Sequence, residues 1–191
     1  CDDGIGEVID GRIDFEVVSF SGDALTGLYD MTMTLLLDNF QVTTAEDVLL
    51  ANGDGTATLN TLQAPYVEAA VTGQSMLTDS NTSTETLTNY SSAQTFDGTV
   101  LPSPFTLLAS GSLDSSELSG SVTYSTPVMF EGFDTNYPNA GQMLIVGDAS
   151  SARITAQANG VDVVIEIYSN TTGEGTPDET IMTTWVELAG L

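Results

Sequence analysis

The side chains able to hold a hard cation gather best in one loop. The segment Asn170-Thr171-Thr172-Gly173-Glu174-Gly175-Thr176-Pro177-Asp178-Glu179 sets three carboxylates, Glu174, Asp178 and Glu179, on a glycine-bent stretch. Calcium takes about six to eight oxygens from carboxylates and carbonyls on loops of this kind. Here Asn170 and Thr172 stand where such loops carry their first aspartates, and Pro177 stiffens the chain. A solvated loop between two strands explains the same residues. Asn52-Gly53-Asp54-Gly55 is a weaker cation candidate, since a tight turn accounts for it. Met31-Thr32-Met33 offers two thioethers suited to Cu(I), yet Leu35 and Leu37 continue the same phase, which reads as core packing. Phe130, Phe133 and Tyr137 cluster in a loop rich in Gly, Asn and Pro. Aromatics beside amides and carboxylates form a partner or ligand platform, for a sugar ring or another protein, or else plug the end of a β-domain.

What the chain lacks narrows the chemistry further. Its 191 residues hold 27 carboxylates, two basic side chains and no histidine, a net charge of −25. The two basic residues are Arg12 and Arg153. Phosphate-backbone binding needs Lys and Arg, so nucleic acid is excluded as a partner, and attraction to anionic lipid headgroups goes with it. Without His there is no imidazole base and no His-based metal site. Without Lys there is no Schiff-base nucleophile and no P-loop. The one cysteine allows no internal disulfide. A pair of carboxylates could still hydrolyse glycosides, but so many carboxylates form pairs by accident and nominate none. The expectation is a protein that is not an enzyme and requires no cofactor.

The elements that must carry these residues are strands. Ile13, Phe15 and Val17 alternate with Asp14 and Glu16; Met31, Met33, Leu35 and Leu37 alternate with Thr32, Thr34, Leu36 and Asp38. Val161, Val163, Ile165 and Ile167 alternate with Asp162, Val164, Glu166 and Tyr168. Period two places one row on a core and the other in water. Further strands are expected at 48–50, 56–62, 67–77, 82–90, 105–113, 121–130, 143–146, 153–158 and 180–188. Asn159-Gly160 between two alternating runs predicts a hairpin turn. Residues 78–95 are nearly devoid of apolar side chains and predict a loop or an exposed edge hairpin. Only 45–51 and 63–71 suggest helix. The fold class is therefore all-β: an antiparallel β-sandwich, a strongly curved sheet or a small barrel of about 11–12 strands. Residues 1–12, with three glycines and four carboxylates, read as a flexible tether, and 13–191 as a single β-domain.

The sequence opens Cys1-Asp2-Asp3-Gly4. A chain beginning with its only cysteine resembles a mature bacterial lipoprotein, in which that sulfur carries a lipid. The resemblance implies lipid attachment at Cys1, membrane contact through that lipid, and a place in the bacterial cell envelope. Asp2 and Asp3 resemble both an inner-membrane retention signal and a surface-export signal; the acidity of the whole chain, with no lysine, favours the outer membrane or cell surface over the inner membrane. Tyr137-Pro138, Gly141 to Gly147 and Thr183-Thr184-Trp185-Val186-Glu187-Leu188 resemble the closing strands of uncharacterised proteobacterial envelope lipoproteins. That likeness implies β-structure with Trp185 in a final strand, and no activity. Together these features lead to the expectation of a structural or protein-interaction module, with a protein partner or its own copies. The alternative is a lipoprotein binding an apolar or glycan ligand in a curved-sheet cavity, and the calcium loop remains open at this stage.

Overall fold

The computed structural model describes residues 8–44, 47–134 and 136–189. They form β1 (Val8–Asp23), β2 (Leu28–Thr43), β3 (Val48–Asn60), β4 (Tyr66–Asp79), β5 (Thr84–Asp97), β6 (Pro104–Ser115), β7 (Val122–Phe133), β8 (Ala140–Val146), β9 (Ser151–Ala156), β10 (Asp162–Tyr168), β11 (Glu179–Thr184) and a short helix α1 (Trp185–Leu188). All eleven strands join one antiparallel sheet in chain order, each strand paired with its neighbours in sequence. The all-β expectation holds. The sandwich, strongly curved sheet and barrel do not, because the sheet is a single open layer with β1 and β11 as free edges. Period-two patterning specifies that one face is apolar; it does not specify what covers that face.

Cross-strand register makes the two faces explicit, since directly opposed residues share a face. One transverse row runs Ile13, Leu37, Gly53, Met76, Leu87, Leu113, Val122. A row on the opposite face runs Glu16, Thr34, Thr56, Thr72, Ser91, Ser110, Ser125. The sheet is thus amphipathic across at least seven strands. On the polar face the hydroxyls satisfy one another: Ser91 and Ser110 lie 2.8 Å apart, Thr95 and Thr106 2.7 Å.

Strand lengths fall from 16 residues in β1 and β2 to 6 in β11. The short strands β8–β10 hold the deepest core, with Val163 fully buried and Tyr168 2% exposed. The long strands are bulged. Shifts occur between β3 and β4 at Gly53/Thr56 and between β5 and β6 at Thr88/Ser91, the latter beside the left-handed Asn89. Each bulge re-aims the pleat and adds twist.

Several sequence expectations are corrected. Asn52-Gly53-Asp54-Gly55 is no turn; it lies inside β3. Residues 78–95 are neither a loop nor an edge hairpin, because all but the Ser80–Ser83 turn lies in β4 and the central strand β5. Both suggested helices are largely strand. Residues 8–12, read as tether, belong to β1. The stretch 180–188 ends its strand at Thr184 and turns into α1. The Asn159-Gly160 turn is present: the Gly160 amide donates to the Gln157 carbonyl at 2.9 Å, and Gly160 has φ 66°, a left-handed conformation that suits glycine.

Candidate functional site

The most extensive unsatisfied surface is the apolar face of β1–β6. On β1, Ile13, Phe15, Val17 and Phe20 are exposed, Phe15 by 69%. Next to them on β2, Met31, Met33, Leu35 and Leu37 are only half-buried. The methionine pair is therefore part of an apolar row opposed to Phe20 and Val17, with Leu59 and Ala57 beyond. Moving across the sheet, the side chains shrink. Leu37 opposes Gly53, Leu35 opposes Gly55 and Met33 opposes Ala57. The face is bulky at β1–β2 and lower along Gly53, Gly55 and Ala57 of β3, with Val71 and Met76 of β4 beyond them.

Tyr90 shapes the shallow part. Its ring lies flat across Gly73, where a Cβ would fall 2.2 Å from the ring. The phenol reaches β3 and donates to the Asp54 carbonyl at 2.7 Å. Tyr124 covers Gly111 in the same manner on the next pair of strands, with a would-be Cβ 2.7 Å from its hydroxyl. Burial pushes both phenols above the ordinary tyrosine value, and for Tyr90 the Asp54 carboxylate adds to the rise. Gly55 and Gly73 thus serve aromatic packing, which sequence reading missed, while Gly53 admits the close approach of the Ser75 and Met76 backbone. A tyrosine two strands away in space is not visible as a local signal.

The aromatic loop sits at the other end of the molecule. Phe130 is 4% exposed and meets the Trp185 ring edge-on at 5.8 Å. Tyr137 stacks on the other side of Trp185 at 6.2 Å and remains partly exposed. Phe133, in the last position of β7, is exposed and is not part of this stack. The Trp185 indole donates to the Pro138 carbonyl at 3.1 Å. Trp185 opens α1 rather than closing a strand. Thr184 caps the helix, its hydroxyl accepting from the Glu187 amide while the Glu187 carboxylate accepts from the Thr184 amide. That Thr-x-x-Glu pattern was legible as a capping box. The hydroxyl of Thr183 and the Thr184 amide hold the Glu187 carboxyl below its ordinary pKa. Beside this stack opens a cleft of about 450 Å³ lined by Asp134, Asn136, Tyr137, Gly160, Val161 and Val186.

The loop proposed for calcium folds against the polar face of β8–β10. Asn170 Oδ1 accepts from the Thr172 amide and hydroxyl and from the Gly173 amide. Asp178 accepts from the Ser169 amide at 2.5 Å and hydroxyl at 2.7 Å, which lowers its pKa. Glu179 starts β11 opposite Ile167, and the Glu174 carbonyl accepts from the Asn170 side chain. The three carboxylates are not brought together, and among the described residues no group of three or more carboxylates surrounds a common metal position. What fastens the loop is Arg153. It lies over the Tyr168 ring at 5.6 Å and donates to the Gly173 carbonyl. Cys1 lies outside the described residues.

No protein-family model, curated protein or solved structure matches this chain. Among the described residues no helix is long and apolar enough to cross a membrane.

Proposed function

We propose that this protein is a non-enzymatic interaction module that binds another polypeptide through the apolar face of β1–β6. One observation carries the reading. An amphipathic antiparallel sheet needs a second layer over its apolar side, and among the described residues none covers the long strands, leaving Phe15 69% exposed. The short strands differ, because Trp185 and Tyr137 pack at one side of them and the 169–178 loop at the other. The absence of His and Lys from the sequence supports a binding role over catalysis.

Photo-crosslinking tests the reading. A benzophenone amino acid replaces Phe15, with a control at Leu101 in the β5–β6 turn, 82% exposed. Irradiation in cells that make the protein is expected to give polypeptide adducts from position 15 and none from position 101. No adduct at position 15 refutes the reading.

A second reading, capture of a small apolar or sugar-like ligand, is favoured by the cleft beside Tyr137 and Trp185. Its volume falls within the range of small-molecule sites. Quenching of the single tryptophan during titration with candidate ligands, abolished by Tyr137→Ala, tests it.

A further inference from the structure

The accessible surface of this 20.0 kDa chain is 11280 Å². A compact monomer of that mass exposes about 8,700 Å². The excess, roughly 2,600 Å², is what an open single layer exposes beyond a compact layered domain of the same mass. Covering that excess on two chains at once removes about 5,000 Å², the size of a large obligate homodimer interface. We infer that the partner seated on this face is a second copy of the same chain, the two β1–β6 sheets stacking apolar face to apolar face around a two-fold axis. This rests on the reading that the face binds a polypeptide, and it names the polypeptide.

Two further features suit a second copy. The first is charge. On β1 and β2 the carboxylates Asp14, Glu16 and Asp38 alternate to the side opposite Phe15 and Leu35. A chain of net charge −25 can therefore meet its own copy across a surface whose central rows are uncharged, Glu85 lying on that face toward one end of β5. The second is relief. The bulky β1–β2 band and the lower Gly53, Gly55 and Ala57 row of β3 lie side by side on one face, with the Tyr90 ring closing over Gly73 beyond them. A two-fold axis between them sets the bulky band of one copy along the lower row of the other. Self-complementarity of that kind is what an isologous interface requires. Sheets stacked in this way lie about 10 Å apart and interdigitate their inner rows.

The test uses the purified full chain in sedimentation and light scattering at 0.15 M salt, beside two variants that add one equal charge. Phe15→Glu places the charge on the apolar face, at a residue exposed enough to tolerate it in the monomer. Thr58→Glu places it on the hydroxyl face. The wild type is expected to be dimeric at micromolar concentration. Phe15→Glu is expected to weaken the dimer about 100-fold, and Thr58→Glu to leave it within about threefold of wild type. Circular dichroism confirms folding of each variant, and Val17→Asp repeats the test should Phe15→Glu not fold. A monomeric wild type overturns the inference, as does a dimer indifferent to both face variants. If that monomer instead floats with phosphatidylcholine vesicles, the occupant is lipid. Position-15 adducts of another mass, with a monomeric wild type, overturn the second copy while leaving the interaction reading intact. Absence of any adduct removes both.

Discussion

Replacing Gly73 with alanine is the sharpest probe of how the shallow part of the sheet is built. The added Cβ would lie 2.2 Å from the Tyr90 ring and hydroxyl and 2.5 Å from the Asp54 carbonyl oxygen. The ring is a side chain that can swing away, but doing so abandons its 2.7 Å hydrogen bond to Asp54. Forced repacking of this kind costs about 1–3 kcal/mol, and the lost hydrogen bond about 1 kcal/mol more. Gly73→Ala is therefore expected to destabilise by about 3 kcal/mol, and Tyr90→Phe, which removes only the hydroxyl, by about 1 kcal/mol. In a Tyr90→Ala background the ring is gone and only the Asp54 carbonyl opposes the methyl. There the backbone carbonyl still stands 2.5 Å from the methyl, so Gly73→Ala should still cost about 2 kcal/mol. The double-mutant cycle should thus show a coupling of about 1 kcal/mol. Urea unfolding followed by tryptophan fluorescence and circular dichroism measures all four corners. Additivity within about 0.5 kcal/mol would refute the claim that this glycine exists for the tyrosine.

Other consequences are as direct. Arg153→Ala removes the charged hydrogen bond to Gly173 and the stacking on Tyr168, and should destabilise by about 2 kcal/mol; hydrogen exchange should rise in 169–178 while β1–β6 stay unchanged. Trp185→Phe loses the indole bond to Pro138 and should cost about 1 kcal/mol, read by thermal melting. The folded-state pKa values of Tyr90, Tyr124 and Tyr168 are raised, each chiefly by burial. Their contribution is complete below the ordinary tyrosine value and is lost as pH climbs through the raised ones, so unfolding midpoints should fall above about pH 10. For Asp97, Asp178 and Glu187 the folded-state values are lowered, in each case first by a hydroxyl hydrogen bond, from Thr99, Ser169 and Thr183 respectively. The stability they add is present above the ordinary carboxylate range, about pH 4, and disappears as pH falls through the lowered values. A Thr183→Val variant should show a shallower acid-side loss than wild type in pH-dependent melting.

Strand existence was legible where alternation was strong, as in Met31 to Leu37 and Val163 to Ile167, because a half-buried sheet imposes period two directly on the chain. Polar strands were legible only in part. A strand is expected at 82–90, but the sparse apolar row over 78–95 suggests a loop or an edge, whereas β5 runs Thr84–Asp97 through the middle of the sheet. Its threonines and serines pair across strands, and one of its faces is open to water. Asn52 to Gly55 carried every local mark of a turn. Gly55 answers instead to the Tyr90 hydroxyl and Gly53 to the backbone of Ser75 and Met76 on β4, and no local propensity encodes contacts between strands. The cation loop shows the same dependence on context: Asn170 and Asp178 have the composition of ligands, and in the fold their side-chain oxygens accept from the loop's own amides and hydroxyls. Layering was illegible for a deeper reason. A sequence records which face of a strand avoids water, and is silent on whether the cover comes from the same chain.

The net charge decides when two such faces can meet, and this gives the dimer a dependence on salt that a purely apolar contact lacks. With inner faces about 10 Å apart and the carboxylates projecting from the outer sides, the two acidic layers lie roughly 20 Å from each other. The screening length is about 30 Å at 0.01 M salt and about 8 Å at 0.15 M. At the lower value the layers of two −25 chains repel each other through the sandwich; at the higher they are separated by more than two screening lengths. Dimerisation should therefore strengthen at least about tenfold between 0.01 and 0.15 M salt and then level off, since the remaining drive is apolar burial. Light scattering across a sodium chloride series, with Phe15→Glu as the monomeric reference, reads the effect. Association that tightens as salt is withdrawn would mean that charged groups face each other in opposite-sign pairs across the contact, and the apolar stacking of β1–β6 would have to be abandoned.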